Sequence, residues 1–441
     1  MYTALRLQKR LRSELRRGEV VVTVIEPQSY MTYQPFLPEA AAGNLEPRHV
    51  VAPLRRVLRR CQVLNGHVTR IETERNRIQF CPAGAEGAGG VQEVGYDHLV
   101  VAAGSISRTL PIPGLAECGI GFKTVEEAIF LRNHVIRQLD IAASLTAVGS
   151  GPSADAAADA RARRKALTFV FVGAGFAGVE ALAELEDMAQ DAVKWYPNID
   201  GTDMRWVMVE GTDRILPEVG PEMGRWTAEA LRRRGIDLKL NTLLKSAEHG
   251  RIVLSDGEEF DAATLVWTAG VKAHPMVGEG DLPLTDKGQV KATAELTVEG
   301  LDRVYAAGDN AAVPDLTSEG DYCAPNAQHA VRQAKRLADN IVADHRGKAR
   351  KPYVHKYVGS VAGLGLHKGV ANVYGIKLRG ILAWLMHRTY HLSRMPTVNR
   401  KMRITADWTL ALFFRREIVS LGEMESPHQE FELAAGRRQP G

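Results

Sequence analysis

Apolar positions along this chain follow two periods. Leu5, Leu7, Leu11 and Leu15 give Thr3–Arg17 a helical pattern, and Gly18 stops it. Val20-Val-Val-Thr-Val-Ile25 is then a continuous β-branched run, typical of a buried parallel strand, that ends on Glu26. Further strands are predicted at Tyr96–Ser105, Leu167–Val172, Arg205–Val209, Thr264–Gly270 and Arg303–Gly308. Strands alternating with helices predict an α/β chain with parallel sheets. Ser144–Ala166, rich in Ala, Ser, Gly and Arg, interrupts this rhythm and reads as a surface insertion.

The chain has 441 residues, which predicts two or three domains, and 45% of them are hydrophobic, enough for sizeable cores. Met1–Arg17 is rich in Arg and Lys and does not read as a signal peptide. No run of about 18 apolar residues is present, so no simple spanning helix is predicted. Cys61, Cys81, Cys118 and Cys323 form no CxxC pair, which fits a reducing compartment and argues against a zinc site. The net charge of +4 conceals an asymmetry: Arg346–Arg416 holds 15 Lys/Arg against Asp407 alone, or +14, leaving −10 elsewhere. A basic last third on an acidic body points to an anionic surface as partner.

Chemistry first becomes specific at Val170-Phe-Val-Gly173-Ala-Gly175-Phe-Ala-Gly178-Val-Glu180, where GxGxxG joins a strand to a helix. Gly173 permits the tight turn, Gly175 lets a pyrophosphate approach the backbone, and Gly178 lets helix and strand pack closely. The following helix N-terminus offers free N–H groups to the phosphates. Glu210, ending the next strand, stands where an acid bonds a ribose diol and repels a 2′-phosphate, favouring NADH over NADPH. An incidental glycine turn is the plainer alternative.

The start of the chain resembles the second half of such a unit. Thr3–Arg17 is its crossover helix and Val20–Ile25 with Glu26 its second strand, whereas the first strand and glycine turn do not precede them. The expectation is that an apolar strand running into GxGxxG lies upstream of Met1. The chain as written is then expected to hold a first dinucleotide weakly.

Together these motifs resemble the type II NADH dehydrogenases, single-subunit NADH:quinone oxidoreductases of the two-dinucleotide-binding flavoprotein superfamily. The resemblance runs from Met1 to about Leu421. Gln34-Pro-Phe-Leu-Pro-Glu-Ala-Ala-Ala-Gly43 is similar to the segment beside the flavin ring, Ala102-Ala-Gly104-Ser105 to the ATG crossover, and Thr268-Ala-Gly270 to its nicotinamide counterpart. Ala306-Ala-Gly308-Asp309 resembles the late flavin motif, whose Asp bonds the ribityl–pyrophosphate part of FAD. Pro325-Asn-Ala327-Gln328-His-Ala-Val-Arg-Gln333 resembles the AQxAxQ stretch near the flavin and the quinone entrance. The resemblance implies an α/β fold with two Rossmann-like domains, for FAD and NADH, and a C-terminal amphipathic membrane-associating region. FAD-binding parts are expected at residues 1–113 and 285–345, the NADH domain at 114–284 with its insertion at about 144–166, and the basic region at 346–441.

It further implies Glu180 and Gln328 at the reacting centre. Cofactor contacts are implied for Gly173, Gly175, Gly178, Glu210 and Gly270 with NADH, and for Glu26, Gln34, Gly104, Gly308, Asp309 and Ala327 with FAD. Plainer alternatives remain: Glu180 suits any helix N-terminal turn, Asp309 suits a cap, and Gln328 and Gln333 suit an exposed helix. The resemblance implies that hydride passes from NADH to flavin and that another acceptor reoxidises the reduced flavin, with the cofactor carrying the chemistry. A disulfide acceptor is excluded because no CxxxxC follows the first unit. Cys118 and Cys323 leave a sulfide:quinone reductase as runner-up, and a redox-inactive NADH-binding protein as a third reading. Ile376–Tyr390 and Trp408–Arg416 read as apolar-faced helices with basic flanks, suited to the headgroup zone on the cytoplasmic face of the cell membrane and hence to a membrane quinone. The same faces would suit a core or a second subunit in a homodimer. No nucleic-acid motif accompanies the basic patch.

Overall fold

The computed structural model describes residues 1–85, 90–145, 156–318, 320–355, 358–414 and 416–420. The first predicted helix is two, α1 (Tyr2–Arg10) and α2 (Arg12–Arg17), because Leu11 leaves helical geometry at φ −108° and ψ 31°. Gly18 ends α2 in the left-handed conformation, φ 74°. Strand β1 (Thr23–Glu26) covers only the end of its apolar run. A short helix, α3 (Leu37–Ala41), follows, then β2 (Gln62–Glu72), β3 (Arg77–Pro82) and β4 (Gln92–Gly95). These four strands form one sheet in the order β1-β2-β3-β4, parallel at β1–β2 and antiparallel beyond. The Tyr96–Ser105 run divides into β5 (Leu99–Val101) and β6 (Ser105–Ser107), with Gly104 turning the chain at φ 72°.

The second sheet region begins with β7 (Gly119–Ile120) and α4 (Val125–Ser144), whose Thr124 and Glu127 form a reciprocal capping box. Residues 146–155 of the predicted insertion lie outside the described residues; its remainder is α5 (Ala156–Ala166), anchored through buried Ala166. Then come β8 (Thr168–Val172), α6 (Phe176–Ala192), β9 (Arg205–Val209), β10 (Asp237–Lys239) and β11 (Thr264–Trp267). They build an all-parallel sheet in the order β10-β9-β8-β11-β7. With its partner β6, β12 (Val271–Ala273) forms an antiparallel crossover pair. Strand β13 (Val304–Ala306) returns to pair in parallel with β5, and α7 (Ala327–His345) packs on α1.

The last third is a sheet and two helices: β14 (Gly359–Gly363), β15 (Gly369–Val373), β16 (Ile376–Arg379), α8 (Ile381–Arg394) and α9 (Val398–Leu410). Ile376–Arg379, predicted as the start of a helix, is instead a strand, because it pairs in register with Val370–Val373. This region is no loose appendage. Val370, Met395 and Ile404 join the core around Phe36, Leu131, Phe169 and Leu182. Much of its positive charge is also consumed inside the molecule: Arg346, Arg350, Lys368, Lys377, Arg379, Arg388 and Arg416 all pair with acids earlier in the chain.

Two parallel pairs, β1–β2 and β5–β13, pack into one core with Leu7, Leu11 and Leu337. Among the described residues, β1 pairs with no strand but β2, and β5 with none but β13.

Candidate dinucleotide and flavin site

The glycine turn between β8 and α6 has the geometry its residues predict. Gly173 turns at φ 103°, Gly175 opens α6 as its N-cap, and no atom lies within 4 Å of where a Gly175 Cβ would stand. A Cβ on Gly178 would come 2.0 Å from Gly173 O and 2.5 Å from Thr268 Oγ1, so helix and turn touch through this residue. Thr268 Oγ1 donates toward Val172 O and Gly173 O, both at 2.9 Å, tying β11 to the turn. Glu210 bends into the cradle: Oε2 accepts from Ala174 N at 2.7 Å, and Oε1 from Thr212 N at 2.9 Å. Gly270, at φ 94°, faces open space. An open glycine turn, a free helix N-terminus and a carboxylate at its mouth fit a dinucleotide with an unphosphorylated ribose.

On the flavin side, Gly104 N donates to Asn310 Oδ1 at 3.0 Å, and Ser105 Oγ donates to Asp309 Oδ2 at 2.7 Å. Gly308 N donates to Gln333 Oε1 at 2.8 Å, drawing the late motif against α7. Asn326 caps α7 by accepting from His329 N, leaving Ala327 exposed at its first turn. Gln328 Nε2 donates to Gly359 O at 2.9 Å, while its buried Oε1 has no partner among the described residues. An orphaned buried acceptor fits a polar ring edge. Gln34 is exposed and donates to Lys123 O at 3.1 Å. Glu26 is half-buried at the end of β1, and burial raises its carboxyl above the ordinary range. The residues present therefore fit the ring and ribityl end of FAD; no GxGxxG turn for its pyrophosphate stands among the residues described on this side.

Glu180 belongs to a network the sequence did not reveal. Its Oε1 accepts from Gly363 N at 2.8 Å and lies 3.1 Å from His387 Nε2, within ion-pair reach but off a straight hydrogen bond. Burial works to lower the His387 pKa, yet Glu180, then Glu39 and Glu184, hold it above the ordinary value. The next residue, Arg388, donates to Glu39 Oε2 at 2.7 Å between the rings of Trp384 and Trp408. Trp408 Nε1 donates to the same oxygen at 2.9 Å. Glu184, one turn beyond Glu180, accepts from Asn44 Nδ2 at 3.0 Å. Burial, then Glu39 and Asp187, push its carboxyl up to about 7.

A family model for the pyridine nucleotide-disulphide oxidoreductases matches residues 9–334. The chain belongs to this family. It is 27% identical over 418 residues to the type II NADH:quinone oxidoreductase Ndh of Mycobacterium tuberculosis (strain ATCC 25618 / H37Rv), covering 91% of this chain and 85% of that one. It is 28% identical to the type II NADH:quinone oxidoreductase of Staphylococcus haemolyticus (strain JCSC1435), covering 88% and 91%. In fold it is similar to NDH2 from Plasmodium falciparum solved in complex with NADH, with a TM-score of 0.81, 18% identity and coverage of 91% and 95%. The sulfide:quinone oxidoreductase of Aquifex aeolicus is more distant, at a TM-score of 0.65 and 14% identity.

Within this pyridine nucleotide-disulphide oxidoreductase, the two cysteines considered for sulfide chemistry do not meet. Cys118 lies on the nicotinamide sheet's core and Cys323 in the flavin-side core. Burial raises the Cys118 thiol and pushes Cys323 up to about 11, disfavouring the nucleophilic thiolate in both. His387 and Arg388 carry no local signal, since basic residues are common throughout the last third. Glu39 did carry one: it is the single acid within the apolar run Phe36–Ala42.

Proposed function

We propose that this chain is an FAD-dependent NADH:quinone oxidoreductase. NADH, a proton and a quinone give NAD⁺ and quinol. The observation carrying this reading is the strand β14: Gly363 at its end bonds Glu180 on the nicotinamide helix, and Gly359 at its start bonds Gln328 on the flavin-side helix. The four steps from Gly359 to Gly363 span about 13 Å, so one rigid element joins the two helices. Bound FAD supplies the two-electron chemistry. Gly173, Gly175 and Gly178 cradle the NADH pyrophosphate and Glu210 its adenosine ribose, while Gly270 leaves room for the nicotinamide end. Glu26, Gln34, Gly104, Gly308, Asp309 and Ala327 serve FAD. Glu180 and Gln328 stand at the junction, where they orient the reacting rings. Residues 1–113 and 285–345 make up the FAD domain, 114–284 the NADH domain, and 346–441 the membrane-associating region.

The test is anaerobic addition of NADH to purified protein. Flavin absorbance should bleach and return when a quinone analogue is added. A protein that binds NADH but shows no flavin band would sink the reading in favour of a redox-inactive binding protein.

The last third associates with an anionic lipid surface on the cytoplasmic face. Leu382, Leu385, Val398, Met402, Leu412 and Phe413 are all exposed, with Arg394 and Arg403 exposed beside them. No helix among the described residues is long and apolar enough to cross a membrane, so the mode is interfacial, each cation contributing about 1 kcal/mol. Because Val370, Trp384 and Ile404 are buried, truncation after Leu366 would expose the core, and point substitutions are the cleaner probe. Leu412→Asp with Phe413→Asp should release the protein from anionic vesicles while dye reduction by NADH persists. Unchanged vesicle binding would defeat the idea, and a loss of dimer mass instead would assign the face to a second copy.

A further inference from the structure

The loop between β7 and α4 contains a lysine whose side chain none of these roles uses. Lys123 N donates to Glu127 Oε2 at 2.6 Å and Lys123 O accepts from Gln34 Nε2, so the backbone alone completes the capping of α4 and the link to the Gln34 segment. Neither needs an ammonium. The side chain is nevertheless drawn inward, 23% exposed, and donates from Nζ to Ser105 Oγ at 2.7 Å. Ser105 Oγ in turn donates to Asp309 Oδ2 at 2.7 Å, and Nζ stands 3.9 Å from that same oxygen.

The polarity of this chain is fixed by its chemistry. An ammonium has donors only, so the single hydroxyl proton of Ser105 is directed to Asp309. Asp309 Oδ2 is thereby committed to protein, and among the described residues Oδ1 has no hydrogen-bond partner. Burial works to lower the Lys123 pKa, against Asp309 and Glu127, which favour the charged form. A half-buried cation that costs desolvation and caps nothing is explained if it orients a carboxylate.

We propose that Lys123 is a positioning residue for FAD, holding Asp309 through Ser105 so that the second carboxylate oxygen is presented to the ribityl–pyrophosphate part of the cofactor. This rests on the flavin reading above. It predicts that Lys123 acts only by way of Asp309. In FAD titrations of flavin-depleted protein, Lys123→Met should raise the FAD Kd by roughly ten- to a hundredfold, the effect of losing one charged hydrogen bond. Lys123→Arg should restore most of the affinity. In an Asp309→Asn background Lys123→Met should add less than about twofold, because a purely structural role would give an additive loss. Lowering of the flavin midpoint potential in Lys123→Met, without change in the NADH Kd, is the second expected readout. Equal FAD affinity in wild type and Lys123→Met, or full additivity with Asp309→Asn, overturns the proposal. If wild-type protein takes up no FAD at any concentration, the flavin reading itself falls and this inference with it.

Discussion

In the nicotinamide unit, β8 lies between β9 and β11 and all five of its residues are buried. In the flavin unit, among the described residues, β1 meets β2 along one edge only; its four residues are half-buried or exposed, and Val21 just before it is 71% exposed. The run leading into β1 is the richer in β-branched residues, all six of Val20–Ile25 against three of the five in β8. Their different burial shows that a strand's neighbours, rather than its composition, decide how much apolar surface leaves water. The glycine turns differ likewise: Gly178 is in hard contact with its own turn, whereas Gly104 faces open space. The two units are coupled through adjacent residues of α8, His387 reaching Glu180 on α6 and Arg388 reaching Glu39 on α3.

The largest effect is expected at that coupling. Arg388→Met leaves Glu39 buried without its cation, and should cost about 3–5 kcal/mol of stability in urea unfolding. Lys377→Met, at the exposed pair with Glu222, should cost less than about 1 kcal/mol. Similar losses from the two would show that the buried pair does not join the units.

Next is the proton of Glu184, which lies between α6 and Asn44 of the flavin side. Its folded pKa, about 7, is above the ordinary 4.5. The stabilising contribution is therefore present below pH 4.5 and lost as pH rises through 7. Glu184→Gln, which keeps the Asn44 contact without a charge, should gain on wild type across that window, on the order of 1 kcal/mol per pH unit. Unfolding midpoints of both proteins between pH 5 and 8.5 check this; parallel curves would mean that the carboxyl titrates normally.

The glycines sharpen the contrast within each unit. Gly178→Val should overpack the nicotinamide turn, costing about 1–3 kcal/mol and abolishing NADH binding. Gly104→Ala meets no atom and should cost only the left-handed backbone strain, about 1–2 kcal/mol, with NADH binding intact. Calorimetry and NADH titration distinguish them. Equal loss of NADH affinity would erase the difference between the two turns.

Glu210→Ala perturbs the fold less, removing the acceptor of Ala174 N and Thr212 N at a cost of about 1 kcal/mol. It should raise the NADH KM roughly ten- to a hundredfold and narrow the preference over NADPH. An unaltered KM would remove Glu210 from the cradle.

By itself the sequence determined the elements and motifs whose physics is local. Gly18 as a helix stop, Arg205–Val209 as a strand and Gly173–Gly178 as a tight strand-to-helix turn all depend on residues within a few positions of one another, and each stands where the pattern put it. The segments proposed for flavin were legible for the same reason, as short motifs next to strands. What only the tertiary structure decided depends on residues far apart in the chain. Ile376–Arg379 became a strand because β15 offered it a ladder, and the apparent surplus of cations in the last third was partly spent on Glu39, Asp187 and Glu222. Glu180 meets His387, and Lys123 meets Asp309, across roughly two hundred residues. Charge pairing and strand pairing act through space, and periodicity reports only which face of an element is apolar, not which partner covers it.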